Sequence, residues 1–258
     1  MRSVASTILA GMAFILAMPA GAWQFVTEDF PPFTYPAAHS APGSADAAGA
    51  GPMAEVVQAV CARLARPCSI TVYPWRRALA LAEAGQVDGI FTVIRSPQRE
   101  QAFHVSRMLV TSHYGLYGLN GSAFVYHQPM DLAGRTLGVY GPSGTSIVLR
   151  EQVRDVPDVH LQLVADNRRL LQMLAAGRFG ADGLAAVNQD VAWHLIDELQ
   201  LDNLREVGVL ATVSYGIGLS RKRVGQAEFQ RFADALAAAM ADGSVAAILR
   251  RYQLEPAD

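Results

Sequence analysis

Short apolar runs alternate with amphipathic segments along most of the chain, and this alternation limits the folds that the chain can adopt. Strand-like runs at 23–27, 68–72 and 87–93 are separated by helical periodicity at 52–65 and in the stretch that ends near Gly85. Parallel strands need a long crossover connection, and a helix is the usual one. The order strand, helix, strand, helix therefore predicts an α/β fold with a mainly parallel sheet.

A second series of the same kind follows the first. Its patterns predict strands at 136–140, 160–164, 181–187 and 207–210, helices from about 146 to 153, 167–176 and 188–199, and closing helices at 225–241 and 244–252. We interpret the strand-like runs 114–119 and 212–220 as two crossovers between two lobes. Lobe 1 would then comprise 23–115 plus 214–258, and lobe 2 would comprise 116–213.

The first 22 residues have the pattern of a secretory signal peptide. Arg2 supplies a positive start, Ile8 to Met18 form an apolar run, and Ala20-Gly21-Ala22 fits a small-x-small cleavage site. A retained membrane anchor is the alternative, but the run is shorter than the roughly 20 apolar residues that span a bilayer. We expect residues 1–22 to be a signal peptide and the mature protein to be periplasmic.

The charge balance gives no sign of a polyanionic partner. The chain of 258 residues has 21 basic and 23 acidic residues. Residues 1–22 contain one basic and no acidic residue, so 20 basic and 23 acidic residues remain without them, a formal charge of −3. We therefore expect no nucleic-acid partner. The six histidines show no metal-ligand spacing, and no cofactor fingerprint is present, so we expect neither metal nor cofactor.

The only two cysteines, Cys61 and Cys68, are close in sequence. An exported protein enters an oxidising compartment, where such a pair forms a disulfide. We predict a Cys61–Cys68 bridge, with two buried free thiols as the alternative.

The segment 91–103 carries the strongest indication of a site. A buried strand pattern ends there, and Ser96-Pro97 supplies an N-cap and a first-turn proline for the next helix. Arg95 and Arg99 therefore lie where a strand ends, the edge at which open α/β sheets bind ligands. A guanidinium can grip a carboxylate with two parallel hydrogen bonds. Alternatively, both arginines are solvated and pair with acids such as Glu100.

A second candidate lies in the other series, where 136–140 runs into a turn rich in Gly, Ser and Thr. Gly144 and Thr145 open the following helix and would present backbone N–H groups and a hydroxyl to an anion. The alternative is an ordinary capped helix start.

Several short motifs occur in a characteristic order. They are Thr27-Glu28-Asp29-Phe30-Pro31-Pro32-Phe33, Gly51 with Glu55, Gly85-Gln86-Val87-Asp88, Ser96-Pro97-Gln98-Arg99-Glu100, Leu132-Ala133-Gly134, Gly144-Thr145-Ser146, and Asp242-Gly243-Ser244 with Tyr252. Together they resemble the bacterial solute-binding proteins of family 3, periplasmic receptors that supply polar amino acids to ABC importers. The segment Pro74-Trp75-Arg76-Arg77-Ala78-Leu79 is similar to one branch of that family.

The resemblance implies a two-lobed, type II periplasmic-binding-protein-like α/β fold with two hinge crossovers. Each lobe would be a small, mainly parallel sheet flanked by helices, and the ligand would lie in the cleft between them. On this basis Arg99 grips the ligand carboxylate, and Gly144 and Thr145 donate hydrogen bonds to it. Phe33 lies near the ligand side chain and Thr92 beside the amino group. The implied partners are a small-molecule ligand and an ABC permease in the inner membrane, with the receptor a monomer.

One position departs from the family pattern. The acid that pairs with the ligand ammonium is replaced here by Asn188, and Ile94 stands where a hydroxyl is common. A buried ammonium without a carboxylate costs several kcal/mol, unless Glu28 or Asp182 substitutes. We therefore expect a carboxylate-bearing, amino-acid-like molecule rather than any particular amino acid.

For two further residues, Trp75 and Arg77, the sequence allows either a ligand-binding or a structural role. Trp75 either stacks on the ligand or anchors the core. Arg77 pairs either with Glu28 or with the ligand.

The alternative to a binding protein is a periplasmic dehydratase-type enzyme that acts on a small carboxylate in the same cleft. Glu28 would be its acid or base, but the sequence shows no nucleophile–base pair beside it. A sensor module of a membrane kinase is a third class and would carry a transmembrane segment after residue 252.

Overall fold

The computed structural model describes residues 21–37 and 47–257. Residues 1–20 of the predicted signal peptide and residues 38–46 of the loop at 36–51 lie outside the described residues. The strands are β1 (Trp23–Thr27), β2 (Tyr35–Pro36), β3 (Ala47–Ala50), β4 (Cys68–Val72), β5 (Gly89–Val93), β6 (Phe103–Val105), β7 (Val110–Leu119), β8 (Thr136–Tyr140), β9 (His160–Val164), β10 (Leu184–Asn188), β11 (Leu204–Ser220) and β12 (Glu255–Pro256). The helices are α1 (Pro52–Arg63), α2 (Trp75–Glu83), α3 (Pro97–Ala102), α4 (Gly144–Gln152), α5 (Asn167–Ala175), α6 (Gln189–Glu198), α7 (Gln226–Ala241) and α8 (Ser244–Arg251).

The first sheet has the strand order β3-β4-β1-β5-β11, with β6 also paired to β11. Strands β4 and β5 both run parallel to β1, as the strand and helix order predicts for strands joined by helical crossovers. Every residue of β5 is buried, which is typical of a central strand covered on both faces.

The second sheet has the order β9-β8-β10-β7-β11. Strands β9 and β10 are both parallel to β8, and helices α4, α5 and α6 pack on these strands. The two series that the sequence predicts therefore form two separate parallel cores.

Strands β7 and β11 join the sheets. They pair antiparallel from Leu119 opposite Leu204 to Val110 opposite Tyr215. Beyond Tyr215, β11 leaves β7 and pairs with β5 and β6 of the first sheet. Strand β12 pairs with β7 at the same end. The chain thus passes between the two sheets along long, continuous strands.

Strands β11 and β3 differ from what the sequence pattern indicates. The predicted strands 207–210 and 212–220 are one strand, β11, because two register shifts around Gly208 interrupt its polarity pattern without ending the pairing. Residues 36–51 are rich in Ala, Gly, Pro, Ser and Asp, a composition typical of a surface loop, but the segment Ala47–Ala50 forms β3, which pairs with β4. Its sequence, Ala-Ala-Gly-Ala, has none of the β-branched residues that signal a strand.

The disulfide prediction is confirmed. Cys61 on α1 and Cys68 at the start of β4 are bonded, with their Cα atoms 6.1 Å apart. The bridge ties the end of a helix to the strand that follows it.

No single helix among the described residues has the length and apolarity to cross a bilayer, although α7 and α8, bent by 69°, meet that criterion as a pair.

Replacing both cysteines by alanine is expected to lower the free energy of unfolding by about 2 to 3 kcal/mol, because the bridge closes a loop of roughly eight residues in the unfolded chain. Urea denaturation measured by circular dichroism tests this, with reduced wild-type protein as the control. A reductant that destabilises the double variant as much as the wild type would contradict the assignment.

Candidate ligand-binding cleft

The carboxyl ends of the parallel strands of both sheets meet at one cleft. Glu28 directly follows β1 and Ile94 directly follows β5, while Tyr140 ends β8 and Asp166 follows β9 by two residues. All four line cavities between the sheets. Ligands of open α/β sheets bind at this edge, because the strand ends there leave loops and helix starts free to form a site.

The cleft consists of two chambers. The inner chamber has a volume of ≈ 20 Å³, room for about one water molecule. It is lined by Glu28, Phe30, Trp75, Thr92, Ile94, Arg99, Tyr114, Tyr140, Ser143, Gly144, Thr145 and Tyr215. The outer chamber has a volume of ≈ 640 Å³. It is lined by Glu28, Asp29, Pro31, Pro36, Ala47, Val72, Tyr73, Pro74, Trp75, Arg77, Tyr140, Ala165, Asp166, Asn167, Arg168, Val191 and Leu195.

Three residues line both chambers and separate them: Glu28, Trp75 and Tyr140. The hydroxyl of Tyr140 donates a hydrogen bond of 2.8 Å to Oε2 of Glu28. Glu28 follows β1 of the first sheet and Tyr140 ends β8 of the second, so this bond crosses the cleft. We call Glu28 and Tyr140 the partition pair.

Burial raises the pKa of the Glu28 carboxyl from its usual 4.5 to about 8, and the nearby charge of Asp29 adds to the rise. The hydrogen bond from Tyr140 opposes the rise without cancelling it. Glu28 therefore holds a proton at neutral pH, and the partition pair is a contact between two neutral groups.

Arg99 lies against the inner chamber with 4% of its surface exposed. Its Nη1 donates to Oε1 of Glu83 at 3.1 Å, and its guanidinium carbon lies 5.7 Å from the centre of the Trp75 ring. Burial lowers its pKa while Glu83 acts to raise it, but an arginine remains charged in proteins. Ser96 caps the helix as predicted, since its hydroxyl accepts from the backbone N–H of Arg99.

Gly144 and Thr145 form the opposite side of the inner chamber, at the start of α4. A Cβ at Gly144 would lie 2.6 Å from the hydroxyl oxygen of Tyr114 and 3.2 Å from Cγ2 of Ile94. The backbone of α4 therefore lies so close to Tyr114 and Ile94 that a larger residue at Gly144 would require one of these side chains to shift.

Thr92 lines the inner chamber in an unusual backbone conformation, with φ of 65°. The pairing of β5 with β11 shifts register here, and a bulge of this kind redirects a side chain. The Thr92 hydroxyl lies 3.2 Å from that of Thr27. A left-handed β-branched residue costs about 1 to 3 kcal/mol, so the surrounding strands must hold it in place.

The aromatic residue at the inner chamber is Phe30 rather than Phe33. Phe33 has no exposed surface and lines neither chamber. Its ring packs on Phe30 at 5.3 Å and on Tyr215 at 5.3 Å, so it supports the two rings that do line the chamber.

Asn188 lies behind the cleft and lines neither chamber. Its amide nitrogen donates to the hydroxyls of Ser112 at 2.8 Å and Tyr215 at 3.0 Å. Its oxygen accepts from the N–H of Val191 at 3.1 Å, which caps α6. All of the amide's strong hydrogen-bonding directions therefore face protein groups, and a contact between Asn188 and a ligand stays a prediction. Asp182, the possible substitute, also lines neither chamber.

Trp75 and Arg77, which the sequence left open, both line the cleft. Trp75 is 5% exposed, and its indole Nε1 is buried without a hydrogen-bond partner. Arg77 lines the outer chamber and stacks on Tyr73, with its guanidinium carbon 4.2 Å from the ring centre.

A two-lobed fold with a cleft at its strand ends agrees with the family match. The model of the bacterial extracellular solute-binding proteins, family 3, matches residues 25–255. The chain belongs to this family. The family is described as one of solute-binding proteins, so the prediction of a binding protein instead of an enzyme is confirmed and the dehydratase alternative is not carried further.

Solved structures show the same fold at low sequence identity. A histidine kinase sensor domain with similarity to periplasmic binding proteins has a TM-score of 0.77 and 21% identity over 92% of this chain and 98% of that one. An ancestral arginine-binding protein bound to arginine has a TM-score of 0.77 and 17% identity over 92% and 100%. The arginine-, lysine-, histidine-binding protein ArtJ from Geobacillus stearothermophilus has a TM-score of 0.73 and 15% identity over 90% of this chain and 95% of that one. No curated protein sequence matches the chain.

Sequence reasoning missed several residues that line the inner chamber of this solute-binding protein. They are Phe30, Tyr114, Tyr140, Ser143 and Tyr215. Tyr140 had a usable signal, because it ends a predicted parallel strand just before the Gly-Pro-Ser-Gly turn. Tyr114 and Tyr215 belong to the strands that join the sheets, where the chain pattern gives no direction for the side chains.

Arg95 lies apart from both chambers of the binding protein. Its guanidinium pairs with Glu100 at 2.5 Å and donates to the carbonyl of Ser106 at 2.8 Å. The structural alternative offered for this segment therefore describes Arg95 but not Arg99. Among residues 21–37 and 47–257, no group of three or more His, Cys, Asp or Glu side chains is arranged to hold a metal ion.

The stability of the protein is expected to depend on the protonation of Glu28. Because the folded protein raises this pKa from 4.5 to about 8, the folded state binds more protons than the unfolded state between these values. Stability then falls as pH rises, by at most about 1.4 kcal/mol per pH unit. Glu28→Gln removes this contribution. Urea denaturation between about pH 5 and 9 should give wild-type and variant curves that diverge with pH, whereas parallel curves would contradict the raised pKa.

Proposed function

We propose that this protein is a periplasmic solute-binding protein that captures a small carboxylate-bearing, amino-acid-like molecule between its lobes and presents it to an ABC importer. The observation that carries the proposal is the buried Arg99, which lines a chamber bounded by both lobes. A buried cation is stabilised by anionic partners. Arg99 donates to Glu83 through Nη1, so its other guanidinium donors can bind a ligand carboxylate.

The carboxylate would bind between Arg99 and the start of α4. Arg99 supplies a planar pair of donors, which matches the two oxygens of a carboxylate. Across the chamber, Gly144 supplies backbone and Thr145 supplies a hydroxyl. Thr92 and Trp75 would contact the rest of the ligand head, and Arg77 would contact the part that extends into the outer chamber.

Ligand entry requires the lobes to move apart. The inner chamber of ≈ 20 Å³ is smaller than any amino acid, and the partition pair closes it towards the outer chamber. A ligand that contacts both lobes favours the closed form by its differential affinity for that form. The lobes would be residues 23–115 plus 214–258 and residues 116–213, turning about β7 and β11.

The neighbours support the role in transport. One similar structure is described as the substrate-binding protein of an amino acid ABC transporter, and the family is described as extracellular. We therefore propose that residues 1–22 direct export, that the receptor is a monomer in the periplasm, and that its partner is an ABC permease in the inner membrane.

Arg99→Ala is expected to weaken ligand binding by about 30-fold or more, because it removes one half of a buried charge pair. The ligand is identified by native mass spectrometry of freshly purified protein and its affinity is measured by calorimetry. Arg95→Ala is the matched control, since Arg95 lies in the same segment but lines neither chamber. Equal affinities of wild type and Arg99→Ala, with both folded, would refute the carboxylate clamp.

A further inference from the structure

We infer that the ligand head is a carboxylate whose neighbouring group is a neutral oxygen, as in a 2-hydroxy or 2-oxo acid, rather than an ammonium. This inference rests on the proposed function and narrows its ligand class. It follows from the charges, hydrogen-bond directions and unpartnered donors of the described residues around the inner chamber.

The inner chamber contains a single cation and a single acid among its lining residues, Arg99 and Glu28. Arg99 attracts the carboxylate of the ligand. An α-ammonium is only one carbon atom away from that carboxylate, so it would remain in the inner chamber or at its wall. Glu28 is then the acid within reach to balance it.

Glu28 is poorly suited to balance an ammonium. Its Oε2 accepts the hydrogen bond from Tyr140, and the carboxyl is protonated at neutral pH because of its burial. A neutral carboxyl supplies hydrogen bonds but no charge, so Glu28 pairs with an ammonium only after it loses its proton, and this weakens the pairing below about pH 8.

The position behind the chamber offers no substitute. Asn188 directs both amide hydrogens and its oxygen at protein groups. Asp190, two residues on, accepts a hydrogen bond from Ser112 and lines neither chamber. Asn188 and Asp190 therefore do not reach the ligand head, and Asp166 of the second lobe lines the outer chamber rather than the inner one.

The unpartnered group at the chamber is a donor. The indole N–H of Trp75 is buried and has no partner, and Trp75 is one of the residues that line both chambers. An unpartnered buried donor destabilises the complex unless the ligand supplies an acceptor. An ammonium has three donors and no acceptor, so an amino acid offers Trp75 only its carboxylate oxygens, whereas a hydroxyl or carbonyl oxygen beside the carboxylate is a further acceptor.

The rest of the ligand would extend into the outer chamber. Its walls are largely apolar, with Pro31, Pro74, Val191 and Leu195 among them, and groups of both charges lie around them. The outer chamber can therefore accept substituents of different size and charge. The inner chamber would then determine which ligands bind, through its contacts with the head group.

Matched pairs of probes isolate that head group. L-lactate with L-alanine, L-3-phenyllactate with L-phenylalanine, and L-2-hydroxyglutarate with L-glutamate differ only by a hydroxyl in place of an ammonium. Calorimetry near pH 6.5 should show the hydroxy acid binding at least tenfold more tightly in the pair with the best-fitting substituent. An amino acid that binds more tightly than its hydroxy partner would overturn the inference.

The pH dependence of affinity provides an independent test with opposite signs for the two ligand classes. A hydroxy acid is expected to bind more weakly as pH rises from about 6 to 9, by up to about tenfold per unit, because ionised Glu28 repels its carboxylate. An ammonium that pairs with ionised Glu28 would instead gain affinity with pH. The other titratable or charged groups facing the partition pair are Asp29, Arg76, Arg99, Tyr114, Asp166 and Tyr215.

Glu28→Gln assigns the pH effect to Glu28, because it should remove the slope of the wild type. A slope that persists unchanged in this variant would overturn the role of Glu28. A different result would refute the proposed function itself. In that case the Arg99→Ala variant would bind the tightest-binding hydroxy acid as tightly as the Arg95→Ala variant does. If the order within the pairs is reversed while Arg99 remains essential, only the inference on the head group falls. If none of the six probes binds at about 10 mM, which corresponds to a free energy of binding weaker than that of a millimolar complex, the result would count against both the proposed function and the inference on the head group.

Discussion

The antiparallel ladder between β7 and β11 is the interaction on which the rest of the structure depends. Each sheet has its own parallel core, but main-chain pairing along these strands places the two cores side by side with their strand ends across a cleft. The ladder also positions Tyr114 and Tyr215 at the inner chamber. The geometry of the site is thus set by backbone hydrogen bonds, and the side chains of the loops complete it.

The local parts of the fold could be predicted because they depend on nearby residues. Apolar runs and helical periodicity gave the parallel strands and most helices, since burial of one face leaves a direct trace in the sequence. The ends of the joining strands could not be predicted in this way. In β7, polar residues such as Thr111 and His113 precede the apolar run, and in β11 a bulge at Gly208 breaks the pattern. There, pairing with a distant strand overrides local preference.

The residues of the candidate site also differ in whether local sequence could predict them. Arg99, Gly144 and Thr145 lie at the inner chamber as the sequence suggested, because each follows directly from a strand end or a helix start. The sequence suggested Phe33 at this chamber, but Phe30 lines it. Both rings pack on Tyr215, and this tertiary packing, which the local sequence does not show, determines which of the two faces the chamber. The partition pair joins residues from different lobes, and nothing in either local segment indicates the other.

The placement of Tyr114 and Tyr215 gives the cleft a mechanical property. Both rings belong to the strands that connect the lobes, and both line the chamber that would hold the ligand head. Under the proposed function, the ligand head would therefore lie close to the axis about which we propose that the lobes turn. For a given rotation of the lobes, atoms near the axis move little and atoms at the lobe tips move much further. A small difference in head-group size would therefore produce a large difference in the spacing of the outer surfaces, which are the surfaces that the proposed membrane partner would contact.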